Sequence, residues 1–198
     1  MSAVCSQINV ACFVVLLGYW ILTARSVKAT KRSDARTSNL LHNGLMLLGI
    51  LLAWPTLKLG LLNARFLPET PFSEIVGVAL VIAGIALAIW SRHILGANWS
   101  ASVTIKTGHS LIRRGPYAVV RNPIYTGDIV IVLGMAVALG EVRGLLGLAL
   151  MVGAAWHKAR AEERFLLAEF GEEYADYRRS VGSLVPRIFS GSGVRDAT

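Results

Sequence analysis

The sequence has 198 residues, of which 54% are hydrophobic and 16% are charged, and its formal net charge is +8. This composition excludes an ordinary soluble domain of the same length. The positive charge does not indicate nucleic-acid binding, because the basic residues flank apolar runs rather than cover one soluble face. We therefore expect an integral membrane protein with the lipid bilayer, and no nucleic acid, as a partner.

Five apolar runs are candidates to cross a hydrocarbon core about 30 Å thick as helices. They are residues 8–23, 40–62, 74–95, 124–139 and 144–156. The first run has no Lys or Arg before it and a basic cluster after it, which favours a retained anchor over a cleavable signal peptide. Pro55 either kinks the second helix or ends it, leaving residues 56–62 at the membrane interface.

The charges of the loops predict the orientation of these spans. The loops after the first and third runs are basic, whereas those after the second and fourth carry balanced charges. Short cytoplasmic loops collect Lys and Arg. We therefore expect the N-terminus outside and the C-terminal part in the cytoplasm.

Small residues at four-residue spacing predict where the spans pack closely in lipid. The pairs are Gly49/Ala53, Gly84/Ala88, Gly134/Ala138 and Ala149/Gly153.

An amphipathic stretch follows the last apolar run. Its apolar residues, separated by 4, 4, 3 and 4 positions, are Leu166, Phe170, Tyr174, Tyr177 and Val181. We expect a cytoplasmic helix that Gly171 interrupts before a second helix begins at Glu172.

The predicted fold class is all-α, with about five transmembrane helices and a C-terminal cytoplasmic amphipathic helix. We expect one membrane domain: residues 1–95 form three spans, and residues 96–190 form a cofactor-binding loop, two further spans and the cytoplasmic helix. Residues 191–198 are predicted to be a disordered tail. Cys5 and Cys12 belong to no zinc-site or disulfide pattern, and no metal site is predicted.

The polar connection of residues 99–127, between the third and fourth runs, is too long for a simple hairpin and is the predicted functional segment. Within it, Asn122 and Pro123 form a favourable helix start, because Asn caps free amides and Pro needs no donor there. The partial positive charge of such a helix start suits a carboxylate or phosphate, and Arg121 adjoins it.

Residues 95–186 resemble the isoprenylcysteine carboxyl methyltransferase family, which is similar to the phospholipid methyltransferases. The resemblance is carried by Gly115-Pro116-Tyr117, Arg121-Asn122-Pro123-x-Tyr125-x-Gly127 and Glu162-Glu163-x-x-Leu166. It implies a small multi-span enzyme that uses S-adenosyl-L-methionine.

The resemblance also implies which residues form the site. Those that would bind the cofactor are His109, Ser110, Leu111, Ile112, Tyr117, Asn122, Pro123, Ile124, Tyr125 and Glu162. Those that would serve the acceptor or the reaction are Arg121, Lys158 and Glu163. Asn122 stands where the family usually has histidine and cannot act as an acid or base near neutral pH. Lys158 stands where the family tends to have arginine, so it keeps the charge but loses the bidentate grip on a carboxylate.

The implied function is methyl transfer from S-adenosyl-L-methionine to a lipophilic small molecule or lipidated acceptor. A carboxylate acceptor, as in isoprenylcysteine carboxyl O-methylation, needs no base and would be oriented by Arg121 or Lys158. A phospholipid amine is the alternative, and its proton would pass to Glu163 or Asp128. Two further alternatives are a non-catalytic membrane protein with the same fold and a reductase like some sterol reductases.

Overall fold

The structure is a computed structural model that describes residues 2–24, 30–33, 36–96, 104–106 and 111–187. Six α-helices account for most of these residues: α1 (Ala3–Ala24), α2 (Arg36–Leu52), α3 (Pro71–Leu95), α4 (Pro123–Leu139), α5 (Val142–Phe170) and α6 (Glu172–Ser180). Two short strands, β1 (Thr30–Ser33) and β2 (Thr104–Lys106), pair antiparallel. The predicted all-α class omitted this ribbon. Its two strands are more than 70 residues apart in the sequence, so no local sequence pattern predicts that they pair.

The described helices agree only in part with the five predicted spans. Residues 3–23 and α3 are long and apolar enough to cross a membrane, and residues 40–52 and α4 are shorter apolar helices. Helix α1 leaves most of its large apolar side chains exposed, among them Val14 and Leu22. The count of five spans remains a prediction. The predicted tail of residues 191–198 lies outside the described residues.

The second span ends well before residue 62, because the chain leaves the helix ahead of Pro55. Helix α2 ends at Leu52, and the buried Arg143 donates to the carbonyl oxygens of Leu52 at 3.0 Å and Trp54 at 2.5 Å. The Nε atom of Arg143 also donates to the Glu141 carboxylate at 2.7 Å. The guanidinium thus satisfies partly buried carbonyl groups that would otherwise be unpaired where the helix ends.

The local signals at the helix ends explain where α3, α4 and α5 begin and stop. Helix α3 starts with a capping box, in which the Thr70 hydroxyl accepts from the Ser73 amide at 3.2 Å. Helix α4 ends at Leu139, and its C-cap Gly140 has a left-handed φ of +67°. Gly171, with φ of +51°, separates α5 from α6, as predicted. The amphipathic stretch therefore folds as two consecutive helices.

Glycines bring α3 and α4 into close antiparallel contact. A Cβ at Gly84 would lie 2.7 Å from the Gly127 carbonyl oxygen, and one at Gly77 would lie 2.6 Å from that of Gly134. In α2 and α5, a Cβ at Gly49 would lie 2.8 Å from the Gly147 carbonyl oxygen. The predicted close contacts at Gly49, Gly84 and Gly134 are therefore confirmed.

The Ala149/Gly153 pair does not make such a contact, so this part of the packing prediction is wrong. Both residues are exposed on α5, and no atom of the described chain lies within 4 Å of a Cβ built at Gly153. Four-residue spacing puts two small residues on one helix face, but it does not say whether another helix covers that face.

We expect Gly84→Leu to lower the free energy of unfolding by at least about 2 kcal/mol, because the added side chain separates α3 from α4. Gly153→Leu is the matched control, since it adds the same side chain to an uncrowded helical glycine. Thermal unfolding of the purified protein in detergent measures both. Equal stability of the two variants would contradict the close packing.

Candidate functional site

The first part of the site is a contact between α4 and α5. The Tyr125 hydroxyl donates to Glu162 Oε1 at 2.6 Å, and both side chains are half-buried. Burial raises the pKa of the Glu162 carboxyl to about 7, against the lowering effects of the Tyr125 hydrogen bond and the Lys158 charge. Glu162 therefore changes its charge near neutral pH.

Tyr117 and Lys158 complete this group, which we call the Tyr125–Glu162 site (Tyr117, Tyr125, Lys158 and Glu162). Tyr117 is 7% exposed, and burial, followed by the negative charge of Glu162, raises the pKa of its hydroxyl. Lys158 is 1% exposed and lies one turn before Glu162 on α5. The site thus combines two tyrosine rings, one carboxyl group and one buried cation.

The neighbouring Glu163 serves a different contact. Arg121 donates to it from Nε at 3.2 Å and from Nη2 at 2.9 and 3.0 Å. Asn122 Nδ2 donates to it at 2.9 Å, and the Ser183 hydroxyl donates at 2.7 Å. Arg121 and Glu163 side chains are only 8% and 11% exposed. Each is largely occupied by the other, so neither offers an unsatisfied charge to a ligand.

Residues 181–184 pack against this ion pair and against the start of α4. The Arg121 and Asn122 amides donate to the carbonyl oxygens of Gly182 and Ser183 at 2.8 and 3.0 Å. The Thr126 hydroxyl donates to the Leu184 carbonyl oxygen at 2.8 Å. The segment after α6 therefore runs back along the start of α4 and covers it.

Asn122 does not use its side chain as a cap. It occupies the N-cap position of α4, but among the described residues its side chain makes no cap hydrogen bond. The amide nitrogen instead donates to Glu163 and, at 3.1 Å, to the Ser183 hydroxyl. The expected capping role is therefore wrong: a cap would need the side-chain oxygen to accept from a backbone amide, whereas the side chain is held through its Nδ2 by Glu163 and Ser183.

Of the remaining residues predicted to bind the cofactor, four lie in the described part of the chain and two do not. Pro123 is buried as the first residue of α4, and Ile124 follows it half-buried. Leu111 and Ile112 are half-buried ahead of the turn that contains Tyr117. His109 and Ser110 lie outside the described residues, so their expected role stays a prediction.

His42, which no sequence pattern singled out, lies on α2 beside this site. His42 is 4% exposed, its Nδ1 lies 3.0 Å from the Ala154 carbonyl oxygen, and its ring packs edge-on to Tyr125 with centroids 5.8 Å apart. The rule that ionisable residues within apolar spans are functional candidates would have found it.

The family model for phospholipid methyltransferases matches residues 72–173, about half of the chain. Protein-S-isoprenylcysteine O-methyltransferase of Saccharomyces cerevisiae is 29% identical over 125 residues, which are 60% of this chain and 51% of that protein. The protein of the same name from Schizosaccharomyces pombe is 35% identical over 96 residues, which are 47% and 41%. The chain thus spans about half the length of these curated relatives.

A solved structure has the same fold. It is that of the eukaryotic intramembrane Ras methyltransferase ICMT (isoprenylcysteine carboxyl methyltransferase), with a TM-score of 0.50 and 20% identity, covering 80% of this chain and 55% of that one. All four residues of the Tyr125–Glu162 site lie inside the segment that the family model matches, whereas His42 precedes it.

Proposed function

The chain belongs to the phospholipid methyltransferase family, and from this premise we propose that it is a membrane-embedded S-adenosyl-L-methionine-dependent methyltransferase acting on a lipophilic acceptor. The observation that carries the proposal is the 2.6 Å hydrogen bond between Tyr125 and Glu162. It brings the motif at the start of α4 together with the acidic motif on α5. In the proposed orientation, this face of the bundle and the C-terminal part are cytoplasmic.

The residues of the Tyr125–Glu162 site fit the methyl donor. The ionised Glu162 carboxylate accepts hydrogen bonds, which suits an ammonium or ribose hydroxyl group. The Tyr117 and Tyr125 rings offer apolar surface to a purine. Bound S-adenosylmethionine would supply a methyl group on a positively charged sulfur. Because that methyl is already electrophilic, the protein mainly has to bind, orient and keep out water.

The proposed acceptor is the carboxylate of a prenylated cysteine, after the printed names of the curated relatives. Lys158 supports this choice, because it is buried within the site and its charge acts on Glu162, whereas Arg121 forms an ion pair with Glu163. Lys158 would attract and orient the carboxylate. Arg121 and Glu163, expected to act on the acceptor, instead position the start of α4 in this proposal.

The test uses the full chain purified in detergent with S-adenosylmethionine labelled at its methyl group. We expect saturable binding of the donor and label transfer to N-acetyl-S-farnesylcysteine, which offers a prenyl chain and a carboxylate. Binding without transfer to this acceptor would overturn the proposed acceptor. The absence of donor binding would overturn the enzyme proposal and favour a non-catalytic protein with the same fold.

A further inference from the structure

Three arginines line a cavity between α5, α6 and the segment that follows α6. Its volume is about 420 Å³, within the range of about 300 to 1,000 Å³ that is typical of small-molecule sites. We call it the arginine cavity, and its lining residues are Leu167, Glu172, Ala175, Arg178, Arg179 and Arg187. None of these residues belongs to the Tyr125–Glu162 site, so the proposed function does not use the arginine cavity.

The charges around the arginine cavity are not balanced. Glu172, the carboxylate among its lining residues, lies 3.6 Å from Arg179, which also pairs with Asp176. The ion pairs of the described chain leave Arg178 and Arg187 without a carboxylate partner. Two cations that line one cavity repel each other unless an anion lies between them. A general excess of basic residues on the cytoplasmic side does not require that two of them line the same cavity.

The chemistry of two guanidinium groups selects a phosphate among the common anions. Each group presents paired N–H donors that match two oxygens of a phosphate. A phosphate monoester carries a charge of about −1.5 to −2 at pH 7, which balances two arginines. Leu167 and Ala175 add apolar surface that can pack against the organic part of an ester.

The end of α6 connects the arginine cavity to the start of α4. The Arg178 carbonyl oxygen accepts from Arg121 Nη1 at 3.1 Å and from Arg187 Nη1 at 3.5 Å. Arg187 Nη1 also donates to the Arg179 carbonyl oxygen. Arg187 therefore ties the segment that covers α4 to the end of α6. An anion bound by both Arg178 and Arg187 strengthens this tie.

We propose that the arginine cavity binds a phosphate monoester, either the headgroup of an anionic lipid or a soluble phosphate ester, and that the bound phosphate holds residues 181–187 against α6. Such binding is independent of the proposed methyl transfer. It uses the guanidinium groups of Arg178 and Arg187, which lie outside the Tyr125–Glu162 site.

The test compares two probes that carry the same phosphate monoester. Glycerol 3-phosphate, the soluble probe, is added to the full chain in detergent, and phosphatidic acid, the lipid probe, is included in phosphatidylcholine nanodiscs that hold the full chain. Arg178→Gln removes one guanidinium of the cavity but keeps the backbone carbonyl that Arg121 and Arg187 contact. Arg164→Gln is the matched control, because Arg164 is an exposed arginine of α5 outside the cavity lining.

Probe binding and the hydrogen exchange of residues 181–187 are measured with and without excess S-adenosylmethionine. We expect at least one probe to bind the wild type and to slow this exchange. Arg178→Gln should weaken that binding by about 10-fold, as the loss of a charge-assisted hydrogen bond predicts. Arg164→Gln should change it by less than about twofold, because exposed charges beyond the cavity are screened.

Binding of phosphatidic acid alone would support the site and identify a lipid headgroup as its ligand, whereas binding of glycerol 3-phosphate would support the site and show that a soluble ester suffices. Absence of binding by both probes, equal losses in the two variants, or unchanged hydrogen exchange on binding would overturn the proposal. Displacement of the probe by S-adenosylmethionine would also overturn it, because the probe would then occupy the Tyr125–Glu162 site. Failure of donor binding leaves the arginine cavity unaffected and counts only against the proposed function.

Discussion

Glu162→Ala is expected to weaken S-adenosylmethionine binding by at least about 10-fold and up to about 100-fold, as the loss of a hydrogen bond to a charged group predicts. The variant also removes the partner of the Tyr125 hydroxyl. Glu169→Ala is the matched control, because Glu169 is an exposed glutamate on the same helix. Binding of labelled donor to both purified variants is the measurement. Unchanged binding by Glu162→Ala would remove Glu162 from the site.

The same carboxyl group predicts a pH dependence. Burial raises the pKa of Glu162 to about 7, so below this pH the group is largely protonated and offers no negative charge. Donor affinity should therefore rise as the pH increases through about 7 and then level off. Glu162→Gln, which stays neutral, should bind weakly with little change over the same range. An affinity that falls with rising pH in the wild type would contradict this assignment.

Glu163→Ala should lower the free energy of unfolding by about 3 to 5 kcal/mol, because it leaves the Arg121 guanidinium buried without its counter-charge. The two side chains are 8% and 11% exposed. Glu163 also anchors Asn122 and Ser183, so the loss should extend to the segment after α6. Thermal unfolding in detergent measures the stability, and hydrogen exchange of residues 181–184 measures the local opening.

Two further variants test whether the unpaired buried charge causes the loss of stability in Glu163→Ala. Asp176→Ala removes a carboxylate from an exposed pair with Arg179 and should cost less than about 1 kcal/mol. Arg121→Met combined with Glu163→Leu removes both buried charges and should be more stable than Glu163→Ala alone. A cost for Glu163→Ala as small as that for Asp176→Ala would show that the ion pair does not hold the structure together.

The sequence predicted the local features of the fold well, because their causes lie in neighbouring residues. Gly171 separates two helices, and Pro123 opens α4, through properties of their own backbones. The family resemblance also selected Tyr125 and Glu162, which are hydrogen-bonded. Features that depend on distant residues were missed. Helix α2 ends where Arg143, about 90 residues later, meets its carbonyl groups, and α2 brings His42 beside Tyr125.

The adjacent glutamates of one motif, Glu162 and Glu163, also have roles that depend on distant residues and that the sequence therefore could not predict. Successive residues on an α-helix point about 100° apart, and Glu162 and Glu163 meet different partners, Tyr125 and Arg121. Their spacing does not say which of them meets a ligand and which supports the fold. That choice depends on distant partners: Arg121, which lies 42 residues earlier, and Ser183, which lies 20 residues later, both donate to Glu163.

The return of residues 181–184 to α4 also bears on how the protein is made. The amides of Arg121 and Asn122 find their acceptors in a part of the chain that the ribosome adds about 60 residues later. A growing polypeptide can insert its helices one after another, yet this face stays unfinished until those last carbonyl groups emerge. Completion of this face must therefore wait for the synthesis of residues 182 and 183, and a chain cut short before residue 182 would keep the four residues of the Tyr125–Glu162 site but lack these two acceptors.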